Sequence, residues 1–335
     1  MPKAFIAGCV GLALSPDERA FLRDADPWGL ILFKRNVKDR AQLRALTQDF
    51  RDCVGRADAP VLIDQEGGRV QRMGPPEWLA YPPAGRIGAL STSESETAAR
   101  LVGRLIAHDL SEVGITIDCA PVLDVADEDA HPFIGARAWS GDPGQVAALG
   151  RAFSEGLVAG GVAPVVKHMP GHGRARADSH HELPVVEASR QALERDFAPF
   201  RALKDLPMAM TAHVVYRAID PDRPATASRK VVEEIMRGAI GFQGLIMSDD
   251  LSMNALRGPF EARAAALFKA GLDIALHCNG NLDEARAVAS ASPPFAGASL
   301  QRAEDALAAR RSPEPFDVEA ARAELAALQA RLGSV

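Results

Sequence analysis

The sequence is poor in cysteine and aromatic residues, and it lacks several patterns that mark other classes of protein. Its 335 residues include 4 cysteines, 3 tryptophans and 2 tyrosines. No two cysteines form a Cys-x-x-Cys pair, so neither a disulfide framework nor a zinc site of that spacing is predicted. We interpret the cysteines as unpaired thiols in a reducing compartment. They are Cys9, Cys53, Cys119 and Cys278.

Charge and hydropathy exclude further classes. There are 38 basic and 44 acidic side chains, a net charge of −6, and no stretch is rich in lysine and arginine. A nucleic-acid partner is therefore not expected. No stretch reaches the roughly 18 apolar residues of a membrane-spanning helix, so no membrane partner is expected. The apolar residues 4–14 lack a signal-peptide cleavage site, and they are interpreted as a buried strand of a cytoplasmic protein.

Eight short apolar runs recur along the chain and predict parallel strands. They are hydrophobic throughout, as in strands that are buried on both faces. Helical stretches separate them, and no Gly-x-Gly-x-x-Gly follows the first, so a (β/α)8 TIM barrel is favoured over a dinucleotide-binding sheet. The runs are 4–10, 29–33, 60–63, 114–122, 162–166, 207–211, 244–247 and 272–276.

Apolar residues at three- and four-residue steps predict helices between these runs. The clearest stripe spans 96–113, with a capping box expected at Ser93 and Glu96. No linker divides the chain, so residues 1–335 are expected to form one catalytic domain with a helical tail from about 299, interrupted at 312–315. The other stripes span 41–54, 143–159, 188–204, 228–240 and 260–270.

Polar side chains follow seven of the eight runs. The loops after the strands of a (β/α)8 barrel form its catalytic face, so these residues predict a functional pocket. The fifth loop contains four histidines and an aspartate, which invites a metal-site interpretation. Their spacing matches no compact ligand motif, so neither a metal nor another cofactor is predicted. These residues are His168, His172, Asp178, His180 and His181.

Four long motifs resemble those of the β-N-acetylhexosaminidases of glycoside hydrolase family 3, of the bacterial NagZ type. They are GLILFKRN at 29–36, IDQEGGRVQR at 63–72, the histidine-rich loop at 167–181 and MSDDL at 247–251. The chain departs from the family at Met169, where Phe is usual, and at Ala138-Trp139, where Ser-Phe is common. Because these side chains remain apolar, we expect altered packing and intact chemistry.

The resemblance implies a retaining glycosidase. Asp249, at a strand end, is the expected nucleophile, and His180, paired with Asp178, is the expected acid/base. An imidazole titrates near pH 6.5, and a carboxylate partner favours its protonated form, so it can protonate a leaving oxygen at neutral pH. The adjacent residues are the alternatives. Asp250 is disfavoured because neighbours on an extended backbone point to opposite sides, and His181 stays open.

Further polar residues are expected to bind the sugar or to support the site. Asp64 can accept hydroxyl hydrogen bonds, while Lys167 and His168 can donate them. By analogy with the family, two arginines complete the sugar site, although each could instead form a structural salt bridge. The residues expected to bind the sugar are Asp64, Arg72, Arg137, Lys167 and His168, and those expected to support it are Asp124 and His213.

The resemblance also implies the substrate. The expected reaction removes terminal β-linked N-acetylglucosamine from muropeptides, chiefly GlcNAc-1,6-anhydroMurNAc species, in peptidoglycan recycling, and a monomer is expected. Three alternatives stay open at this stage. They are a family 3 β-glucosidase or phosphorylase, a Schiff-base aldolase that uses Lys167, and a sugar-binding barrel without catalysis.

Overall fold

The computed structural model describes residues 1–127, 134–176 and 183–333. Within these ranges, eight parallel strands close into a barrel in which each strand pairs with its neighbours in sequence and the last pairs with the first. The predicted (β/α)8 architecture is confirmed. The strands are β1 (Lys3–Gly8), β2 (Pro27–Leu32), β3 (Val61–Ile63), β4 (Ile117–Asp118), β5 (Ala163–Met169), β6 (Met208–Thr211), β7 (Leu245–Asp250) and β8 (Ile274–His277).

A helix follows each strand and covers the outside of the barrel. Asp39, Asp142 and Asn281 begin three of these helices by accepting hydrogen bonds from backbone N–H groups of the first turn. The sixth helix has wide turns, in which Ile240 N donates to the carbonyl of Ile235. The helices are α1 (Pro16–Ala25), α2 (Arg40–Val54), α3 (Thr92–Ser111), α4 (Pro143–Ala159), α5 (Glu194–Ala202), α6 (Val231–Ala239), α7 (Phe260–Ala270) and α8 (Leu282–Ala291).

The predicted helical tail is present as two helices, α9 (Gly297–Ala308) and α10 (Val318–Leu332). The break between them contains residues 312–315, where the two prolines predicted an interruption. Helix α9 lies at the end of the barrel where the strands begin. There Phe295 packs edge-on against Trp28, with ring centroids 6.2 Å apart. This end of the barrel is therefore filled with apolar side chains, which leaves the opposite end for polar groups.

The strands are apolar throughout because both of their faces are buried. Ile6 and Met247 point into the barrel interior, whereas Phe5 and Ile246, one residue away, pack against the surrounding helices. All four cysteines are unpaired, as predicted, and Cys53 is the partly exposed one. No helix in the described ranges is both long and apolar enough to cross a membrane.

Two expectations about element ends are wrong. Residues 4–14 do not form a strand throughout, because β1 ends at Gly8, where the chain turns towards α1 and leaves Val10 and Leu12 exposed. The capping box expected at Ser93 and Glu96 does not form, because α3 begins two residues earlier, with Ser91 as its N-cap. Ser93 and Glu96 therefore lie inside the helix.

A helical stretch was predicted after each strand, but α1 and α8 were given no bounds from the sequence, and each is only 10 residues long. Helix α1 carries a local signal that periodicity does not detect. Ser15 accepts a hydrogen bond from Glu18 N, and the Glu18 carboxylate accepts one from Ser15 N, which together form a capping box. Pro16 fills the first helical position.

Candidate active site

A cavity of about 240 Å³ lies at the carboxyl ends of the strands. Apolar side chains of the barrel interior, Ile31, Met210 and Leu276, form its base. The five residues expected to bind the sugar and the expected nucleophile all line it, so the fold brings them together. The charged and histidine side chains of its lining are Asp64, Glu66, Arg69, Arg72, Arg137, Lys167, His168, Asp249 and Asp250.

A larger cleft, of about 720 Å³, lies outside the barrel between α3, α4 and residues 309–316. Three of its four arginines, Arg100, Arg104 and Arg151, already have protein partners. Arg151 pairs with Asp205, and Arg104 donates to the carbonyl of Glu314. None of the described residues predicted for the site lines this cleft, so the convergence of charged groups, not the volume, identifies the barrel mouth as the functional site.

Five alternating charges cross one side of the cavity. Lys167 Nζ lies 2.7 Å from Asp64 Oδ1 and 2.6 Å from Glu66 Oε1. Arg72 Nη2 lies 3.1 Å from Asp64 Oδ2. Two nitrogens of Arg137, Nε and Nη2, each donate to a different oxygen of Glu66 at 2.8 Å. Because Lys167, Glu66 and Arg137 are buried, this mutual pairing is what makes their burial tolerable.

The pairing fixes the charge of each group. Burial acts to raise the pKa of Asp64, but Lys167 and Arg72 outweigh it and hold that pKa well below its ordinary value. In the same way, Arg137 and Lys167 outweigh burial and lower the pKa of Glu66 to about 2. Burial acts to lower the pKa of Lys167, yet Asp64 and Glu66 raise it. The amine stays protonated, which argues against a Schiff-base nucleophile.

His168 is oriented by Asp124, as expected for a supporting residue. Its Nδ1 lies 2.7 Å from Asp124 Oδ2. Burial acts to raise the pKa of Asp124, but attraction and a hydrogen bond from the His168 ring, together with the backbone N–H of His172, outweigh it and lower that pKa to about 2, so this carboxylate is an acceptor. On the other side of the ring, His168 Nε2 lies 3.5 Å from Arg137 Nη2. His168 therefore connects Asp124 to the arginine that Glu66 holds.

Asp249 and Asp250 both line the cavity at the end of β7 but are held differently. Asp250 accepts hydrogen bonds from the amides of Ser252, at 2.9 Å, and Cys278, at 3.1 Å, so it anchors the strand end. Asp249 accepts one, from Asp250 N at 2.8 Å. Helix α7 has Pro259 as its N-cap, so Asp249 does not cap it. Asp249 is therefore the carboxylate with free acceptor capacity at this strand end.

His213 lies behind these carboxylates, in the supporting position expected for it. Its Nε2 lies 3.0 Å from the carbonyl oxygen of Asp250, and its Nδ1 lies 2.7 Å from Thr226 Oγ1. Burial acts to raise the pKa of Asp249, but the adjacent imidazoles of His213 and His168 and the hydrogen bond from the Asp250 amide outweigh this and lower it. Asp249 is therefore ionised at neutral pH, as a nucleophile requires.

Glu66 and Gln65 were missed as site residues in the sequence. Both belong to the motif that follows β3, and their position directly after Asp64 at a strand end was the available signal. Gln65 is fully buried. Its Oε1 accepts from Arg72 N at 2.9 Å and Met73 N at 3.1 Å, and its Nε2 donates to Met73 O at 2.7 Å. It holds the segment that carries Arg72.

The expected acid/base pair, Asp178 and His180, and the competing His181 lie outside the described residues. The structure describes the histidine-rich loop up to residue 176. In this part of the loop, His172 N donates to Asp124 Oδ1 at 2.7 Å. Among the residues that are described, no group of three or more His, Cys, Asp or Glu side chains could hold a metal ion.

Comparison with known proteins decides the family. The sequence profile of the "Glycosyl hydrolase family 3 N terminal domain" matches residues 7–298, which is most of the chain and all of β2 to β8. The chain belongs to glycosyl hydrolase family 3. The resemblance drawn from the motifs is confirmed at this level, and the molecule is a glycoside hydrolase.

Family 3 relatives match along most of their length. A protein of Bordetella avium named Beta-hexosaminidase is 41% identical over 288 residues, which cover 83% of this chain and 81% of the relative. One of Pseudomonas aeruginosa with the same name is 40% identical, with 87% and 84% covered. NagZ from Neisseria gonorrhoeae, solved in complex with N-trifluoroacetyl-D-glucosamine, superposes with a TM-score of 0.85 at 33% identity, with 99% and 97% covered.

The departures from the family motifs lie in packed positions of this family 3 chain. Met169 is fully buried in the core between barrel and helices. Trp139 is buried too, and its ring packs edge-on against Phe153 with centroids 5.8 Å apart. Both positions are filled by apolar side chains, in keeping with altered packing.

Proposed function

We propose that this family 3 glycoside hydrolase is an exo-acting, retaining β-N-acetylglucosaminidase. It removes non-reducing terminal N-acetylglucosamine from peptidoglycan fragments, GlcNAc-1,6-anhydroMurNAc and its peptides, during cell-wall recycling in the cytoplasm. The chain acts as a monomer, and residues 1–335 form one catalytic domain. Neither a metal nor another cofactor takes part in the proposed reaction.

One observation carries the catalytic part of the proposal, namely the ionised Asp249 in the same cavity as the Arg72–Asp64–Lys167 series of charges. The choice of sugar is supported by the relatives named Beta-hexosaminidase and by the similar structure that holds an N-acylated glucosamine. A small cavity closed at its base by the barrel interior suits a single terminal sugar ring, which is the basis for exo action.

In the proposed mechanism, Asp249 attacks the anomeric carbon while the leaving oxygen takes a proton from His180, which Asp178 orients. The bond between sugar and leaving group breaks, and a glycosyl-enzyme on Asp249 forms. His180 then removes a proton from water, which attacks the same carbon and releases the sugar with its anomeric configuration retained. Two inversions at one carbon give retention, so the product is the β-anomer.

The charge states of the cavity support a histidine as the proton donor. Glu66, with a pKa of about 2, and Asp64 are ionised and already engaged by cations. Asp249 is ionised as well. None of these three carboxylates holds a proton at neutral pH, so none can serve as the acid. A histidine with an ordinary pKa near 6.5 can do so.

Asp64, Lys167 and Arg72 bind the hydroxyl groups of the sugar in this proposal. Lys167 is held between two carboxylates, and its third proton can reach an oxygen of the substrate. Asp64 accepts one bond from a cation at each oxygen and can accept a sugar hydroxyl in addition. The rigid pairing pre-organises the donors and acceptors, which lowers the entropic cost of orienting the ring.

The test is nitrophenol release from the β-N-acetylglucosaminide and the β-glucoside, with wild type and Asp249→Ala side by side. We expect turnover of the acetamido substrate alone, loss of turnover in the variant, and no dependence of the rate on added phosphate. Preference for the glucoside would overturn the proposed specificity. A rate that requires phosphate would replace hydrolysis by phosphorolysis, and binding without turnover would support the non-catalytic alternative.

A further inference from the structure

A second depression adjoins the cavity, on the side formed by the loops after β2 and β3. We call it the basic groove. It has a volume of about 300 Å³, and its lining includes Lys34, Lys38, Gln71, Arg72 and Glu77. Arg72 lines both the groove and the cavity, so the two spaces are contiguous.

Two stretches of chain separate the groove from the cavity and face both. After β2, Phe33 lines the cavity and the next residue, Lys34, lines the groove. After β3, Val70 lines the cavity and its neighbour Gln71 lines the groove. Consecutive residues of the same two stretches therefore line the two spaces. A group attached to a sugar in the cavity reaches the groove by passing over these stretches alone.

The rim at the groove carries a local excess of positive charge. Residues 33–38 and 67–76 together contain five lysines and arginines and neither aspartate nor glutamate, in a chain whose net charge is −6. Glu77 is the acidic residue among those that line the groove. Such an excess on an otherwise acidic protein attracts anions to this rim.

Lys34 and Lys38 are the cations of the groove with donors to spare. Arg72 is held by Asp64, and its guanidinium lies over the ring of Phe33 at 5.2 Å. Lys34 is exposed and forms no ion pair with any residue that the structure describes, and Lys38 approaches Asp39 at 3.5 Å while staying exposed. Neither side chain packs into the core, so neither is needed for the fold.

We propose that the basic groove binds the leaving-group side of the substrate and that Lys34 and Lys38 there accept a carboxylate carried by that group. This inference rests on the proposed function, in which a sugar fills the cavity and its leaving group extends from the mouth. The leaving group of the proposed substrate, an anhydroMurNAc peptide, carries carboxylates, and each exposed ammonium group can donate to a carboxylate oxygen as a point charge.

The experiment compares two aryl β-N-acetylglucosaminides that differ only in charge, one with a carboxylate on the aryl ring and one with its methyl amide. The ratio of their kcat/KM values measures the preference for the anion. We expect wild type to favour the carboxylate, mainly through KM, and this ratio to fall about three- to tenfold in K34Q/K38Q. K34E/K38E should reverse the preference, and added salt should weaken it in wild type.

The matched control is K204E/K269E, which changes the net charge as much as K34E/K38E does. Lys204 and Lys269 are exposed and precede β6 and β8, at the opposite end of the barrel. The proposed role of the basic groove would be overturned if the ratio of kcat/KM values were unchanged in K34Q/K38Q, or if it changed as much in K204E/K269E as in K34E/K38E. In either case, turnover of the amide substrate would still support the proposed function. No turnover of either substrate would overturn both.

Discussion

Lys167 Nζ lies 2.6 Å from Glu66 Oε1, and the same carboxylate accepts two bonds from Arg137. Both Glu66 oxygens are therefore engaged by protein cations. We infer that Glu66 orients Lys167 and Arg137, two residues expected to bind the sugar. Replacing any one of the three by a neutral residue would leave a buried charge without its partner. The following predictions concern this network and the residues beside it.

Arg137→Met should destabilise the fold and weaken catalysis. Removing one partner of a buried ion pair typically costs about 3 kcal/mol, because the other charge stays buried. Urea unfolding measures the loss, and kcat/KM for the nitrophenyl substrate should fall with it. Arg217→Met is the control, since Arg217 pairs with Glu187 at the surface and should change stability by less than about 0.5 kcal/mol. Equal effects of the two substitutions would contradict the role given to Arg137.

Asp249→Asn and Asp250→Asn should differ sharply in kcat. Asn at 249 cannot form the glycosyl-enzyme, so we expect kcat to fall by about 10⁴-fold or more. Asn at 250 keeps an oxygen for the amides of Ser252 and Cys278, so kcat should fall by less than about tenfold. Steady-state kinetics on the folded variants measures both values of kcat. A larger fall in kcat for Asp250→Asn than for Asp249→Asn would make Asp250 the nucleophile.

His180→Ala should slow poor leaving groups more than good ones. A nitrophenolate departs without a proton, whereas an alkoxide needs one, so kcat should fall about 10²- to 10⁴-fold for an alkyl glycoside and less for the nitrophenyl glycoside. His181→Ala is the matched control and should affect both substrates alike. If His181→Ala shows the dependence on the leaving group instead, the acid is His181.

His172→Phe should flatten the dependence of stability on pH. Burial lowers the pKa of His172 to about 4. Between that value and the ordinary pKa near 6.5, the unfolded state binds the additional proton, so stability falls as the pH drops through this window. The free energy of unfolding should fall by on the order of 3 kcal/mol across this window. Phe keeps the ring that packs edge-on against His168.

Urea unfolding at several pH values between 4.5 and 7.5 measures this slope. His108→Phe removes a partly exposed histidine from α3 and should keep the slope of wild type. A His172→Phe slope equal to that of wild type would show that His172 is not the group that titrates.

Gln65→Leu should raise KM more than it lowers kcat. The side chain makes three hydrogen bonds, at about 1 kcal/mol each, that hold the segment carrying Arg72. We expect a loss of about 2 to 3 kcal/mol in unfolding free energy and a several-fold rise in KM. Gln145→Leu, which removes a bond to the Gly88 carbonyl away from the cavity, should cost about 1 kcal/mol and leave KM unchanged. An unaltered KM in Gln65→Leu would limit Gln65 to a structural role.

The sequence by itself determined the barrel and the identity of its polar rim. All eight apolar runs became strands, because continuous burial on both faces requires continuous hydrophobicity. Asp64, Lys167, His168 and Asp249 could be found because the polar residue after each run marks a strand end. Element ends were less accessible, as Ser91 and Ser93 show, since several serines near a helix start can each serve as its cap.

Only the tertiary structure decided which polar groups are partners. That Lys167 pairs with both Asp64 and Glu66, and that Arg137 is held by Glu66, depends on strands far apart in sequence meeting at one end of the barrel. The difference between Asp249 and Asp250 has the same origin, because the amide of Cys278 on the loop after β8 engages Asp250. Charge states follow from these contacts. Local sequence sets which residues reach the barrel mouth, and closure of the barrel sets which of them stay free for a substrate.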